Sequence, residues 1–305
     1  MIIAVTPNPA WDVTIDAPHL QRGATNSVPP ARRRAGGKGI NVARVLESQG
    51  IAALALAPIG SKDLEEFAAD LGTVPHRLAA SATATRSTYA LVESDDGVTT
   101  MVTERGHERR DEDWELFHEL VRSQVPGAAC LVISGSLPPG SDTARATALV
   151  RAGRDSGVPI IADLARDHLR AAAAAGADVL KPNQDELRDA VGTSDPLDGA
   201  RALQDLGAGV VVVSLGSEGL VVVPRERSAT VWRARTPEPL AGNPTGAGDA
   251  AVAAIASLIA TDVHEPAEWA RRAAAWSAAA VLAPLAGELG SAPDALERDI
   301  VLSAL

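Results

Sequence analysis

Short, continuous apolar runs alternate with amphipathic stretches along most of the chain. Apolar runs of four to seven residues predict strands at 2–5, 53–59, 129–134, 159–163, 178–182, 210–216 and 219–224. Helical periodicity predicts helices at 39–49, 62–71, 111–124, 142–156, 165–175, 184–191 and 197–207. Continuous apolar strands separated by helices are typical of a buried, mostly parallel sheet built from βαβ units. The pattern after residue 245 is mostly helical, so the chain is expected to have an α/β fold.

Two segments, 11–35 and 85–104, interrupt this alternation. In the second segment, β-branched runs flank Asp95, Asp96 and Gly97, which predicts a hairpin. Together the two segments predict a small antiparallel sheet apart from the main one, which could serve as a lid. Because the lid segments are interleaved with the main fold, we expect one domain over residues 1–305 rather than two successive domains.

Composition and charge narrow the classes of function. Hydrophobic residues make up 46% of the chain but aromatic residues only 3%, so the core must be built from Ala, Val, Leu and Ile. The net charge of −11 argues against a nucleic-acid or membrane partner, and an anionic substrate would need a local basic cluster. The single cysteine, Cys130, excludes an intrachain disulfide and is expected in the core.

The N-terminus lacks the basic region and cleavage-like site of a signal peptide. No apolar run reaches the roughly 18 residues that a membrane-spanning helix needs. These patterns predict a soluble, cytoplasmic protein.

The stretch AGNPTGAGDAAVAAIASLIA, residues 241–260, places a glycine turn directly before a long apolar helix. The amides of Gly246, Ala247 and Gly248 can converge on one point, where the helix dipole favours an anion. Asp249 would then place a carboxylate beside that anion. On the residues alone, a glycine turn with a helix-capping aspartate is an equal alternative.

Two nucleotide-binding patterns are rejected. Residues 246–251 match the spacing of the dinucleotide fingerprint G-x-G-x-x-A, but no strand precedes them and mostly helix follows. The chain contains no G-x-x-x-x-G-K-[ST] sequence, which excludes a P-loop.

Polar residues also cluster where predicted strands end or helices begin. Gly36 and Gly37 would let a ligand approach the backbone, Lys38 offers a charge for a phosphate, and Asn41 lies one turn further along. Asp12 follows the first strand, where ligands of open parallel sheets bind, and could accept hydrogen bonds from sugar hydroxyls. A plain glycine-rich loop and a turn aspartate remain the simpler interpretations.

Three further strands are followed by candidate residues. Ser136 follows the strand at 129–134, and Asn183 and Glu186 follow the strand at 178–182. Asn and Glu provide the oxygen ligands that Mg²⁺ prefers. The turn at 214–219 could face a nucleotide. Six candidate sites, most of them at strand ends, are hard to explain by packing alone.

Taken together, these motifs resemble the PfkB, or ribokinase-like, family of carbohydrate kinases over almost the whole chain. AGGKGINVARVL and NPTGAGDAAVAA are similar to the two family signatures. TPNPAWD, SGSLPPG and KPNQDEL resemble the branch of 1-phosphofructokinase, tagatose-6-phosphate kinase and the minor 6-phosphofructokinase. The resemblance implies a three-layer αβα sandwich with a β-sheet lid, a homodimer formed through that lid, and Mg-ATP as phosphoryl donor to a sugar or sugar phosphate.

The resemblance also implies roles for individual residues. Asp249 would be the general base, and the amides of residues 246–248 would hold the transferring phosphoryl group. The acceptor side would comprise Asp12, Gly36, Gly37, Lys38, Asn41, Arg86 and Ser136, with Lys38, Arg86 and Ser136 near an acceptor phosphate. The nucleotide side would comprise Lys181, Asn183, Ser214, Gly216, Gly219, Gly246 and Gly248. Asn183 and Glu186 would hold Mg²⁺.

The chain departs from this branch in the lid. Ser27 stands where the branch commonly has a basic residue, Thr88 and Ala90 stand in place of Asn and Lys, and TERGHE replaces N-x-P-G-P. Either an arginine restores the lost charge, or the acceptor differs. The candidate arginines are Arg32, Arg33, Arg34 and Arg105.

The resulting prediction is an ATP-dependent kinase of fructose 1-phosphate, tagatose 6-phosphate or fructose 6-phosphate. One alternative is a kinase for an unphosphorylated sugar or polyol. Another is a non-catalytic sugar-phosphate sensor on the same scaffold, against which the intact GAGD sequence argues.

Overall fold

The computed structural model describes residues 1–95 and 97–305. Its strands are β1 (Ile2–Val5), β2 (Ala10–Ala17), β3 (Arg32–Gly36), β4 (Ala53–Gly60), β5 (His76–Ser81), β6 (Arg86–Glu93), β7 (Val98–Thr103), β8 (Cys130–Ser134), β9 (Ile160–Asp163), β10 (Val179–Leu180), β11 (Val210–Ser214), β12 (Leu220–Val223), β13 (Trp232–Arg235) and β14 (Val301–Ala304). Its helices are α1 (Lys38–Ser48), α2 (Leu64–Leu71), α3 (Asp111–Gln124), α4 (Thr143–Asp155), α5 (Arg166–Ala174), α6 (Gln184–Val191), α7 (Pro196–Leu206), α8 (Ala247–Ala260), α9 (Pro266–Val281) and α10 (Pro293–Glu297).

In the described part of the chain, ten strands form the main sheet in the order β14-β13-β12-β11-β10-β9-β8-β1-β4-β5. Pairing is parallel from β5 to β11 and antiparallel from β11 to β14. The continuous apolar runs therefore do correspond to strands that are buried on both faces, as predicted. Alternate residues of β1 enter opposite cores: Ile2 and Ala4 pack with α1, α8 and α9, whereas Ile3 and Val5 pack with α3 and α4. The αβα prediction is confirmed, and Cys130 is fully buried as expected.

Three strands escaped the sequence prediction, and one predicted strand is shorter than expected. The strands β5, β13 and β14 lie at or near the edges of the main sheet, where one-sided burial replaces the continuous apolar run with mixed sequences such as WRAR. The run at 178–182 contributes only β10, because Pro182 has no amide to continue the ladder.

Four strands form the small sheet in the order β3-β2-β6-β7. The pairs β2–β3 and β6–β7 are antiparallel, so the hairpin is present, although Asp96 in its predicted turn lies outside the described residues. The antiparallel expectation holds for these two outer pairs, whereas the central pair, β2–β6, is parallel. It can be parallel because the chain passes through α1, β4, α2 and β5 before it returns to the small sheet.

Side chains of β2 and β3 attach the small sheet to the body of the protein. The rings of Trp11 and Phe67 meet edge to face with centroids 4.9 Å apart, and the Arg33 guanidinium lies 3.6 Å from the Trp11 ring centroid. The Ala35 amide donates to Asp70 Oδ2 at 2.7 Å. These contacts therefore hold β3, the strand that leads into Gly36 and Gly37, in place. Within the described residues, no helix combines the length and the hydropathy needed to cross a membrane.

Candidate active site

A cavity of about 930 Å³ lies between the small sheet and the edge of the main sheet at which its parallel strands end. Nearly all of the predicted site residues line it; Gly36 and Ser136 are not among the lining residues. Gly36 leaves room for the Asp12 carboxylate, since a Cβ there would lie 2.0 Å from Asp12 Oδ2. Ser136 is exposed, and its Oγ accepts a 3.4 Å hydrogen bond from Asn8 Nδ2.

Asp249 is the buried carboxylate of the cavity, with 5% of its surface exposed. It lies in the first turn of α8, whose Ala-rich body is almost entirely buried, so its position is fixed by packing. Burial raises the pKa of Asp249 to about 7, while Lys38 and a hydrogen bond from Asn41 act in the opposite direction. Asn41 Nδ2 donates to Asp249 Oδ2 at 2.8 Å. A carboxylate with this pKa is suited to accept a proton near neutral pH.

The turn before α8 has the backbone geometry of an anion site. Gly246 has φ of 87°, a left-handed conformation that side chains disfavour. The Ala247 amide donates a hydrogen bond to Pro244 O at 3.2 Å within the turn, so that amide already has a partner. The amides at the start of a helix have no partner within the helix, so those of Gly248 and Asp249 can serve an anion. A Cβ on Gly248 would lie 3.2 Å from Lys181 Nζ, so a lysine stands beside this helix end.

Asp163, at the end of β9, is a site residue that the sequence reasoning missed. It is fully buried; Lys38 Nζ lies 3.2 Å from its Oδ2 and Lys181 Nζ 3.5 Å from its Oδ1. Burial acts to raise the pKa of Asp163, but Lys181 and Lys38 outweigh it and hold that pKa below its usual value. An acidic residue at the carboxyl end of a predicted strand was the available signal. Asp12, which was expected at such a strand end, instead lies inside β2 of the small sheet.

Lys38 lies among carboxylates rather than beside Arg86. Besides Asp163, its Nζ lies 3.6 Å from Glu186 Oε1. Burial acts to lower the pKa of Lys38, but Asp163, Glu186 and Asp249 together raise it, so the ammonium group stays charged. The structure therefore groups Lys38 with the predicted magnesium residues.

Asn183 and Glu186 form a capping box at the start of α6. Asn183 Oδ1 accepts from the Glu186 amide at 2.8 Å, and Glu186 Oε2 accepts from the Asn183 amide at 2.9 Å. This spacing is thus a helix cap as well as a candidate ligand pair. Both residues line the cavity, and Glu186 Oε1 lies 3.6 Å from Lys38 Nζ. Among the described residues no group of three or more His, Cys, Asp or Glu side chains could hold a metal, so phosphate and water oxygens would have to complete a magnesium shell.

Asp12 and Thr88 lie side by side on the inner face of the small sheet. They are directly paired across β2 and β6, and Thr88 Oγ1 donates to Asp12 Oδ1 at 2.5 Å. Burial raises the pKa of Asp12, while Thr88 and the neighbouring Arg86 and Arg34 counteract it. The Thr88 departure from the branch pattern therefore has a structural role: its hydroxyl orients a carboxylate that lines the cavity.

Arg86 lines the cavity but donates to two backbone carbonyls. Its Nε and Nη2 bond Asn8 O at 3.2 and 3.1 Å, and its Nη1 bonds Glu104 O at 2.6 Å. Asn8 Nδ2 also donates to Ser136 Oγ. Arg86 and Ser136, the two residues predicted to bind a phosphate, are therefore both hydrogen-bonded to Asn8.

The four candidate replacement arginines are in different environments. Arg32 pairs with Asp16 and is half exposed, Arg33 pairs with Glu66, and Arg105 is exposed. Arg34 is the most enclosed of the four, with 22% of its side chain exposed, and it pairs with Glu288 across the cavity wall.

Comparison with known proteins identifies relatives of this chain over most of its length. Residues 7–292 match the model of the pfkB family carbohydrate kinases. The chain is 34% identical over 295 residues to a 1-phosphofructokinase of Xanthomonas campestris pv. campestris, which covers 90% of this chain and 89% of that protein.

Solved structures show the same relationship. Phosphofructokinase-2 from Escherichia coli, in a structure described as a complex with fructose-6-phosphate, superposes with a TM-score of 0.87. A tetrameric inhibited form of that protein superposes with a TM-score of 0.88. In both cases the identity is 28%, and 97% of this chain and 98% of the other are covered.

Proposed function

Because the chain belongs to the pfkB family of carbohydrate kinases, we propose that this phosphotransferase moves a phosphoryl group from ATP to a hydroxyl of a hexose phosphate. The observation that carries the proposal is Asp249, a buried carboxylate with a pKa of about 7 beside the free amides of a helix start. Membership of the family implies ATP as the phosphoryl donor, usually with Mg²⁺.

In the proposed mechanism, the oxygen of the acceptor hydroxyl forms a bond to the γ-phosphorus of ATP. Asp249 accepts the proton of that hydroxyl as the bond forms. The bond from phosphorus to the bridging oxygen breaks, and its electron pair leaves with ADP. Asn41 holds the Asp249 carboxylate in place. The free amides of Gly248 and Asp249, together with Lys38, would stabilise the charge on the phosphoryl oxygens, and the predicted amides of Gly246 and Ala247 would join them. The Ala247 amide would first have to leave its bond to Pro244 O.

The nucleotide would lie along the turn after β11, next to Ser214, Gly216 and Gly219, which line the cavity. Lys181 stands at the start of α8, where the phosphates would approach. Asn183 and Glu186 both line the cavity, and their oxygens would suit a magnesium ion held mainly through water. When bound, Mg²⁺ would neutralise part of the phosphate charge.

The acceptor would lie against the inner face of the small sheet, which acts as the lid of a single kinase domain over residues 1–305. The acceptor's hydroxyls would be bound by Asp12, Asn41 and the backbone of Gly36 and Gly37. Its existing phosphate would be bound by Arg86 and Ser136. Fructose 1-phosphate, fructose 6-phosphate and tagatose 6-phosphate are the candidates. A 1-phosphofructokinase is among the relatives, and the phosphofructokinase-2 structure is described with fructose-6-phosphate.

A homodimer formed through the lid is part of the proposal. Val98 and Val102 expose apolar surface on one face of β7, which supports a partner there, whereas Met101 on the opposite face lines the cavity. The inhibited form of phosphofructokinase-2 is described as tetrameric, so a larger assembly is the competing outcome. The cytoplasmic location remains a prediction from the sequence.

An unphosphorylated sugar or polyol is the second candidate acceptor. Two observations favour it. The Arg86 guanidinium already donates hydrogen bonds to Asn8 O and Glu104 O. Ser27, Thr88 and Ala90 are uncharged, so they add no positive charge to the lid.

Release of ADP from Mg-ATP tests the proposal against fructose 1-phosphate, fructose 6-phosphate, tagatose 6-phosphate, fructose, tagatose and ribose. A clear preference for one phosphosugar supports a hexose-phosphate kinase, whereas higher kcat/KM for a free sugar supports the second candidate. Binding of a sugar phosphate with no ADP release would instead indicate a sensor.

Arg86→Ala should raise KM for the preferred phosphosugar by about tenfold or more, because a phosphate contact is lost, while kcat changes little. Lys38→Ala should lower kcat instead, since Lys38 lies with Asp163 and Glu186. Steady-state kinetics separate the two effects, and Arg77→Ala, an exposed arginine on β5, is the matched control. A rise in KM for both phosphosugar and free sugar in the Arg86 variant would contradict its phosphate role.

A further inference from the structure

The loop after α9 joins the lid to the catalytic turn through Arg34. Arg34 belongs to β3 of the small sheet, and its Nη1 donates to Glu288 Oε1 at 2.8 Å and to Ala286 O at 3.4 Å. With 22% of Arg34 and 39% of Glu288 exposed, the pair is partly shielded from solvent. The partners are 254 residues apart in the chain, so this contact exists only through the fold.

The same loop also packs against the residues that prepare the chemistry. A Cβ on Gly246 would lie 3.0 Å from Ala286 Cα, so the catalytic turn and the loop are in direct backbone contact. A Cβ on Gly287 would lie 3.1 Å from Asn41 Oδ1 and 3.2 Å from Asn41 Cα. Asn41 in turn donates to Asp249. One short loop therefore contacts a lid strand, the anion turn and the residue that holds the base.

Arg34 also shares a row of the lid with the acceptor residues. It is paired directly with Asp12 across β2 and β3, and Asp12 is paired with Thr88 across β2 and β6. Residues directly opposite each other across a sheet project from the same face. A ligand that rests on this row would therefore fix the strand from which Arg34 reaches the loop.

We propose that Arg34 and Glu288 form a clasp that positions Ala286 and Gly287 against Gly246 and Asn41, so that the lid must be in place before the catalytic turn has its reactive geometry. The inference rests on the proposed phosphoryl transfer, because the clasp acts on the turn and base that carry it out. Arg34 and Glu288 are positioning residues: they act through the loop rather than on the reacting atoms. Arg34 as a reader of the acceptor phosphate is the rival outcome.

Steady-state kinetics of Arg34→Met and Glu288→Gln test the clasp with the best acceptor of the panel. Both variants should lower kcat by about tenfold, because misplacement of reacting groups by ~1 Å can cost up to ~10²-fold, while KM for the acceptor changes little. The charge-swapped double variant Arg34→Glu with Glu288→Arg should recover most of kcat. Arg227→Met, which breaks the exposed pair with Asp205, is the matched control and should retain kcat.

The rival gives the opposite pattern. If Arg34 bound the acceptor phosphate, Glu288→Gln would free the Arg34 guanidinium for that phosphate and lower KM for the phosphosugar. Arg34→Met would raise that KM. Such a result overturns the clasp. Unchanged kcat in both variants also overturns it.

Hydrogen exchange provides a readout that needs no acceptor. In Arg34→Met, amides of residues 285–288 and 246–248 should exchange faster than in the wild-type protein, whereas a distant strand such as β8 should be unaffected. Unchanged exchange in those segments would overturn the clasp even if no sugar were phosphorylated. Absence of ADP release from the wild-type protein would instead count against the proposed function.

Discussion

Replacing Asp249 with asparagine should lower kcat by about 10²–10⁴-fold, which is the usual contribution of a positioned general base. Asparagine has nearly the same shape as aspartate, so the helix start and its packing are preserved, but its amide cannot take up the acceptor proton. ATP binding should change little, because the amides and lysines proposed to contact the phosphates remain. Single-turnover kinetics and a nucleotide-binding titration measure the two quantities.

The matched control is Asp198→Asn, which makes the same change in the first turn of α7 on an exposed surface. It should retain wild-type kcat. If Asp249→Asn kept kcat within about tenfold of wild type, Asp249 would be excluded as the base.

The pH profile gives a second check on the same residue. Burial raises the pKa of Asp249 to about 7, and only the ionised carboxylate can accept a proton. The kcat/KM of the wild-type protein should therefore rise as the pH increases through about 7 and then level off. Removing the Asn41 hydrogen bond, which favours the ionised form, should move this limb to higher pH.

Patterns local in sequence predicted much of this protein, because its main sheet is buried on both faces. Continuous apolar runs such as those of β1 and β8 are unambiguous in that setting. Since parallel strands end at one edge of a sheet, residues that follow different strands, such as Asn183 and Ser214, could be expected near each other, and both line the cavity.

What the sequence could not predict are contacts made only by the fold. The position of Lys38 depends on Asp163, which lies 125 residues away and in no recognised motif. The Arg34–Glu288 pair likewise spans 254 residues. The triple arginine at 32–34 could not be resolved from sequence because neighbouring side chains of a strand alternate between faces: Arg33 stacks on Trp11, while Arg34 shares a row with Asp12.

Removing Asp163 from its cluster with Lys38 and Lys181 should lower the stability of the folded protein. Asp163 and Lys181 are almost completely buried, with 1% and 4% of their side chains exposed, and Lys38 adds a second positive charge. Ser134 Oγ also donates to Asp163 at 3.0 Å. The Asp163 carboxylate thus lies between two ammonium groups, and its loss would leave the buried Lys181 without its ion-pair partner, whereas Lys38 is 42% exposed and keeps Glu186.

We therefore expect Asp163→Asn to lower the free energy of unfolding by about 3–5 kcal/mol, the usual cost of breaking a buried ion pair from one side. Urea unfolding at pH 7 measures it. Adding Lys181→Met should restore part of the loss, because the buried charge left without a partner is then removed. Asp205→Asn, which breaks an exposed pair with Arg227, should cost at most about 1 kcal/mol.

The pH dependence of this effect follows from the lowered pKa of Asp163. The unfolded chain protonates the carboxyl near its ordinary pKa of 3.8, whereas the folded protein keeps it ionised to lower pH. The stabilisation is therefore complete above that value and is lost as the pH falls through the lower folded pKa. The gap between wild type and Asp163→Asn should narrow only in that acidic range. A gap of less than about 1 kcal/mol at pH 7 would mean that solvent or the lysines' own rearrangement compensates the cluster, contrary to its burial.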